Sequence, residues 1–455
     1  MSPSHRDSQP FDLVAEATPE LDDDGRAART GNLWTCMAHI ITGVIGAGVL
    51  ALSWSVAQLG WVAGPVAMLC FAAVTYVSAL LLSHCYRSPV AAGAGSSGRT
   101  RRNYTYMDAV GAILGRKHTY VCGILQYLNL YGVGVAYTIT TATCLGAIKK
   151  SNCYHGHGRG AARCGSEAGE QHLFMLLFGL AQLALSFIPN FHSMAWLSAV
   201  AAAMSFTYTT IGMGLGLAKT VGDGAIRGTV TGVPMATDAQ KVWQVAQAVG
   251  DIAFAYPYTI VLLEIQDTLR SSPPEGETMR KGNVIAVLAT TSSISALPAS
   301  ATPPSATPRR AISSPALAST SHVQPADIHG GGQVAGGEVP GELVRAQDVH
   351  HQDRAGAAGV RAEPATAVLQ DGVRGEHDGL AVVFPYFNEV LGLLGALIFW
   401  PLVIYLPVQM YCVQRRVMAW TPTWVALQAF NVACFAVGTF AFVGCVEGVV
   451  RKRLG

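Results

Sequence analysis

The stretch Gly43-Val44-Ile45-Gly46-Ala47-Gly48 lies inside an apolar run, and Gly250-Asp251-Ile252-Ala253-Phe254-Ala255-Tyr256-Pro257-Tyr258 lies inside another. Glycine in a plain helix costs roughly 1 kcal/mol relative to alanine, and the first stretch holds a cluster of them. In the second, a glycine and a proline bracket a segment that can unwind, because proline removes a backbone donor. Two readings stay open for each stretch. Small residues allow close packing between membrane helices. Alternatively, a break exposes half-helix ends and bare amides at mid-membrane, where they can hold a substrate carboxylate. The two stretches fall at corresponding places in two halves of the chain, and that pairing weighs more than either motif alone.

Around them lie eight apolar stretches, about 34–58, 61–83, 119–147, 173–189, 193–217, 242–263, 388–411 and 424–446. Roughly 20 apolar residues cross about 30 Å of hydrocarbon as a helix. Helices are required because lipid cannot satisfy backbone polar groups. Hydrophobic residues make up 51% of the 455-residue chain and charged residues only 13%, which argues against an ordinary soluble protein. A net charge of +2 gives no ground for a nucleic-acid partner. The polar residues 1–31 carry Glu16, Glu20 and acids at 22–24; they read as a disordered tail rather than a signal peptide. Basic residues crowd this tail and the loop after the second stretch (Arg87, Arg99, Arg101, Arg102, Arg116, Lys117), so the N terminus is expected in the cytoplasm.

Asp251 is the carboxylate placed well within a clear span. An intramembrane acid is a functional hypothesis by default, since its charge is costly there. It could exchange a proton or face a substrate amine, or serve as a hydrogen-bonded structural acid. Glu264, Gln266 and Asp267 follow at the boundary, where a solvated helix end is the favoured reading and a gate or proton path the alternative. Tyr127, Tyr131 and Tyr137 are read as helix packing before cavity lining. Cys153 and Cys164 flank a loop placed outside, which suits a disulfide. His155 and His157 lie between them without zinc-finger ligand spacing, so no metal is expected. No nucleophile motif, P-loop or dinucleotide fingerprint stands out, so neither an enzyme nor a cofactor is expected.

Further motifs carry a resemblance. Ser53-Trp54-Ser55-Val56-Ala57-Gln58-Leu59-Gly60-Trp61 follows the first break, and Glu264-Ile265-Gln266-Asp267-Thr268-Leu269 follows the second. Phe384-Pro385-Tyr386-Phe387-Asn388-Glu389-Val390, Ile398-Phe399-Trp400-Pro401 and Tyr405-Leu406-Pro407 come later. With these, the chain resembles plant amino acid permeases of the amino acid/auxin permease family, over about 30–291 and 379–455. The resemblance implies an all-α polytopic membrane protein with a LeuT-like five-plus-five inverted repeat and eleven spans. It implies proton-coupled amino acid import at the plasma membrane, with amino acid, protons and membrane lipid as partners. Carried over by residue, Gly43, Ile45, Gly46, Ala47 and Gly48 with Gly250, Ala253, Phe254 and Tyr256 frame the substrate site. Asp251 is the coupling candidate. A carrier of auxin or another organic acid is the alternative on the same scaffold.

Residues 292–378 break the pattern. The chain's 15 Tyr, 15 Phe and 8 Trp all lie outside this window, which reads as Ala, Ser, Pro, Thr, Gly, Arg and Val. The resemblance implies spans seven, eight and part of nine in 284–385, yet nothing from Ser292 to Asp378 reads as a crossing segment. Ser292-Ser293-Ile294-Ser295-Ala296-Leu297-Pro298-Ala299 can be encoded so that the adjacent frame reads Phe-Phe-Tyr-Ile-Cys-Ala-Ala-Gly. The window is therefore expected to be frame-shifted. The organisation expected is a tail (1–31), spans one to six with the start of seven (32–291), the anomalous segment (292–378) and C-terminal spans (379–455). A chain lacking those spans is the basis of a rival reading, a non-transporting membrane protein.

Overall fold

In a computed structural model, the described residues are 22, 24–25, 28–46, 48–89, 100–157, 168–186, 195–223, 229–300 and 387–454. Within them the regular structure is helical apart from one short hairpin and a single bridge between Gly31 and Leu269. The elements are α1 (Leu33–Val44), α2 (Gly48–Ser83), β1 (Arg87–Pro89), β2 (Thr100–Arg102), α3 (Tyr106–Ile113), α4 (Arg116–His157), α5 (Ala168–Ser186) and α6 (Ala195–Asp223). Then come α7 (Asp238–Phe254), a 3₁₀ turn (Tyr258–Val261), α8 (Leu262–Asp267), α9 (Glu275–Ser300), α10 (Phe387–Ile398), a π-helical turn (Phe399–Tyr405), α11 (Leu406–Gln414) and α12 (Pro422–Leu454). Among the described residues, five helices are long and apolar enough to cross a membrane. Their outward faces fit that solvent: Val62, Val66, Leu69, Ile124, Tyr127 and Val432 are all exposed.

Local chemistry sets the ends of these helices. The Asn32 side chain accepts from the Trp34 and Thr35 amides, while Thr35 Oγ1 accepts the Asn32 N–H at 2.8 Å, a capping box that starts α1. Thr105 and Thr237 cap α3 and α7 more simply, their side chains accepting the Asp108 and Gln240 amides. Gly60 divides the long α2 at φ 89°, where a Cβ would sit 2.3 Å from the Val230 carbonyl. The helix is thus kinked at Gly60, between the stretches 34–58 and 61–83.

α7 forms the centre, packed against α2, α10 and α12, while α9 packs against α1, α2 and α6. The α7–α10 crossing is close because glycines face each other. A Cβ on Gly395 would lie 2.3 Å from the Gly250 carbonyl, and one on Gly250 would lie 2.7 Å from the Gly392 carbonyl.

Between α10 and α11 the backbone widens into the π turn. Pro407 has no N–H, so the Val403 carbonyl loses its i+4 donor and the Leu402 carbonyl its i+5 donor. Other helices supply substitutes. Tyr106 Oη donates to Leu402 O at 2.6 Å, and Ser78 Oγ donates to Val403 O.

Two expectations shift. α9 extends to Ser300, so the start of the aromatic-free window continues a helix, with Ile294 buried in the core. The remainder of that window, and the C-terminal start of the 379–455 segment as far as 386, lie outside the described residues. The end of the 1–31 tail is also held in place: Gly31 N–H donates to Thr268 O, and Arg270 N–H to Gly31 O, both at 3.0 Å.

Candidate functional site

α1 ends in an inverse γ-turn. Ile45 adopts φ −87°, ψ 81°, and Gly46 N–H donates to Val44 O at 3.1 Å. Ala47 lies outside the described residues. Helix resumes at Gly48, and Val49 N–H donates to Gly46 O at 3.2 Å.

The second break is shorter than the segment bracketed by Gly250 and Pro257 suggests. α7 runs through Gly250 and Asp251 to Phe254, and only residues 255–257 leave the helix before the 3₁₀ turn. Pro257 accounts for the position, since it lacks a donor for the preceding turn and disfavours helix at Tyr256. Gly250 stays helical and acts as a packing residue. A Cβ there would also meet Cys445 Sγ at 2.8 Å.

The two breaks meet. A Cβ on Gly48 would lie 3.0 Å from Phe254 Cδ1 and 3.1 Å from Ala255 Cα, and one on Gly43 would lie 3.3 Å from Tyr258 Cβ. Ala253, Phe254 and Tyr256 are buried beside them. The Tyr256 hydroxyl faces Thr291 of α9, and Tyr258 Oη donates to Asn283 Oδ1 on the same helix. The N-terminal end of α2 thus approaches the C-terminal ends of α1 and α7. Partial positive and partial negative helix ends are brought to one place. Such a pair matches a zwitterion, with carboxylate toward the amides and ammonium toward the carbonyls.

Three residues that the sequence reading did not assign to the site border the first break. The Tyr137 hydroxyl would lie 3.1 Å from a Cβ on Gly46. Ser205 Oγ donates to Ile45 O at 3.2 Å, and Tyr208 Oη to Gly46 O at 3.4 Å. Of the tyrosines on α4, Tyr127 is exposed and Tyr131 packs against an apolar cluster. Tyr137 alone of these three borders the break, and spacing alone could not separate it from the others.

Asp251 lies one turn before the second break and is fully buried. Ser55 Oγ, two turns along α2 from Gly48, donates to Asp251 Oδ2 at 3.0 Å. A Cβ on Gly392 of α10 would come within 2.6 Å of Asp251 Oδ1 and 3.0 Å of Cys445 Sγ on α12. The carboxyl therefore sits at the crossing of α2, α7, α10 and α12.

Glu264, Gln266 and Asp267 are not a solvated helix end. Gln266 is 1% exposed and Asp267 9%. Glu264 Oε1 accepts the Tyr106 N–H at 3.1 Å. Asp267 belongs to a buried ionic network that helical periodicity cannot reveal, because its members are distant in sequence. Arg29 pairs with Asp22 at 2.9 Å and with Asp24 and Asp267 at 2.8 Å. Tyr86 Oη donates to Asp267 Oδ1 at 2.7 Å, and burial together with that carboxylate pushes the phenol up. Arg102 pairs with Asp22 and Glu275, both at 3.2 Å, and Arg87 with Glu275 at 2.7 Å. The hairpin register, Arg87 opposite Arg102, places both arginines on Glu275. Cys153 is disulfide-bonded; Cys164, its expected partner, lies outside the described residues. Among the described residues, no cluster of three or more metal-ligating side chains occurs.

The chain is similar to known proteins. The family described as transmembrane amino acid transporter protein matches residues 29–296 and 379–451, so the match is interrupted across most of the aromatic-free window. The chain is 43% identical over 460 residues to Probable amino acid permease 7 of Arabidopsis thaliana, covering 95% of this chain and 96% of that protein. It is 39% identical to Amino acid permease 2 of the same plant, over 94% of this chain and 90% of that protein. Amino acid permease 3 is 40% identical, over 94% and 93% respectively.

Proposed function

The chain belongs to the transmembrane amino acid transporter protein family, and from that premise we propose that it imports amino acids across the plasma membrane together with protons, its N terminus in the cytoplasm. The reading includes the five-plus-five inverted repeat and eleven spans as the ancestral plan. Its main support is the meeting of the two helix breaks, with Gly48 against Phe254 and Ala255. The substrate carboxylate takes the amides at the start of α2. The ammonium takes the carbonyl ends of α1 and α7. Because these contacts recognise the backbone of an amino acid, they leave the side chain to the surrounding Tyr137, Phe254 and Tyr208.

Asp251 is the proposed proton carrier. Its charge lies where water is excluded, so gaining a proton changes the electrostatic cost of that crossing by several kcal/mol in principle. The Ser55 bond transmits the change from α7 to α2, seven residues beyond Gly48. Proton binding and the arrangement of the two broken spans are thereby linked.

A second reading is favoured by one observation, the interruption of the family match at 297–378. On that reading the segment is frame-shifted and the 455-residue chain is a non-transporting membrane protein. One experiment separates the readings. The 455-residue chain and a version recoded in the adjacent frame over 292–378 are expressed in permease-deficient cells, and radiolabelled amino acid uptake is measured at two external pH values. Uptake that rises in acid supports symport. Uptake by the recoded chain alone supports the second reading, and no pH-dependent uptake by either refutes the assignment. A transcript with a continuous native frame through 292–378 would sink the frame-shift.

A further inference from the structure

We infer that Ser205 and Tyr208 of α6 are positioning residues that hold the first helix break open for the substrate carboxylate. The inference rests on the substrate reading above, and its structural part can be tested apart from it. Where α1 ends, the γ-turn at Ile45 directs carbonyls away from the helix ladder. A buried carbonyl without a donor is costly, and the nearest amides that could satisfy it are those of the break itself. Satisfying the carbonyls locally would draw the break back toward continuous helix and consume the amides that a carboxylate needs.

α6 prevents this. Ser205 and Tyr208 are three residues apart, on one helical face, and each is 8% exposed. Ser205 Oγ reaches Ile45 O at 3.2 Å, and Tyr208 Oη reaches Gly46 O at 3.4 Å. Ile45 O is thus taken by a hydroxyl from a different helix, and Gly46 O is shared between the Tyr208 hydroxyl and the Val49 amide. The Tyr137 hydroxyl, 3.1 Å from a Cβ on Gly46, closes the other side of the turn. Both donors are neutral, so they satisfy the carbonyls without placing a charge beside the site.

The test compares the full chain with Ser205→Ala, Tyr208→Phe, the double variant and Ser205→Thr, which keeps the hydroxyl. Amide hydrogen exchange is read in the peptide spanning 44–49, with α6 peptides as the control for folding. Binding of tritiated L-alanine, L-glutamate and L-lysine is measured in parallel. A typical neutral hydrogen bond predicts about fivefold faster local exchange for Ser205→Ala, with a smaller rise for Tyr208→Phe, because Gly46 O keeps the Val49 amide. Whichever amino acid the unaltered chain binds should bind about fivefold more weakly in Ser205→Ala, and Ser205→Thr should restore both readouts. Unchanged exchange at 44–49, or faster exchange with unchanged affinity, overturns the inference. If the unaltered chain binds none of the three probes, the substrate reading fails and the presentation role fails with it.

Discussion

Replacing Arg29 by alanine should release the tail from the end of α8. The guanidinium uses its whole fork. Nε donates to the Asp267 carbonyl at 2.6 Å, Nη1 to Asp22 at 2.9 Å and Asp24 at 3.2 Å, and Nη2 to Asp24 and Asp267 at 2.8 Å each. All four side chains are close to 90% buried. Removing one partner from a buried ionic set costs about 3–5 kcal/mol, because the remaining charges stay desolvated and unpaired. Here Asp22 keeps Arg102, and Asp267 keeps Tyr86, so the lower end applies. About 3 kcal/mol is a factor of roughly 10² in the local opening equilibrium. Hydrogen exchange at the Gly31 and Arg270 amides reports it directly, since each closes a bond between tail and loop. Arg29→Lys should fall between, because an ammonium cannot satisfy three carboxylates with one planar fork. Exchange within threefold of the unaltered chain in Arg29→Ala would refute the reasoning.

Three further outcomes follow from the same contacts. Asp251→Asn keeps an acceptor for Ser55 but cannot gain a proton, so uptake should persist weakly and lose its pH dependence; retention of the full pH response would remove Asp251 from coupling. Tyr106→Phe strands the Leu402 carbonyl beside the π turn, which should lower stability by about 1–3 kcal/mol without altering the total helix content seen by circular dichroism; an unchanged melting midpoint would mean the turn relaxes without it. Burial pushes the Cys85 thiol up to about 12, so at pH 8 it should resist alkylation in the folded chain and react after unfolding, as mass spectrometry would show.

The helices were legible because a bilayer imposes one pattern, about 20 apolar residues, and few structures satisfy the backbone there. Both breaks were legible in kind, from clustered glycine in one and proline in the other. Their extents were not. Gly250 reads as a helix breaker in isolation, but Gly392, Gly395 and Cys445 pack so closely on it that the helix continues. Glu264 and Asp267 read as solvated because their partners, Tyr106, Tyr86 and Arg29, lie more than a hundred residues away. Ser205 and Tyr208 looked like ordinary residues in an apolar helix. Only the turn at Ile45, brought against them in three dimensions, gives them a role.

The most direct test of the account is amino acid binding to the purified chain with and without Gly48→Val. The Cβ alone would come 3.1 Å from the Ala255 backbone, and the added methyls would extend into the space between the two breaks. Saturable binding of an α-amino acid is predicted for the unaltered chain and its loss in Gly48→Val, with stability lowered by no more than an overpacking cost of about 1–3 kcal/mol. Equal affinity in a folded Gly48→Val chain would place the substrate elsewhere and contradict the central claim.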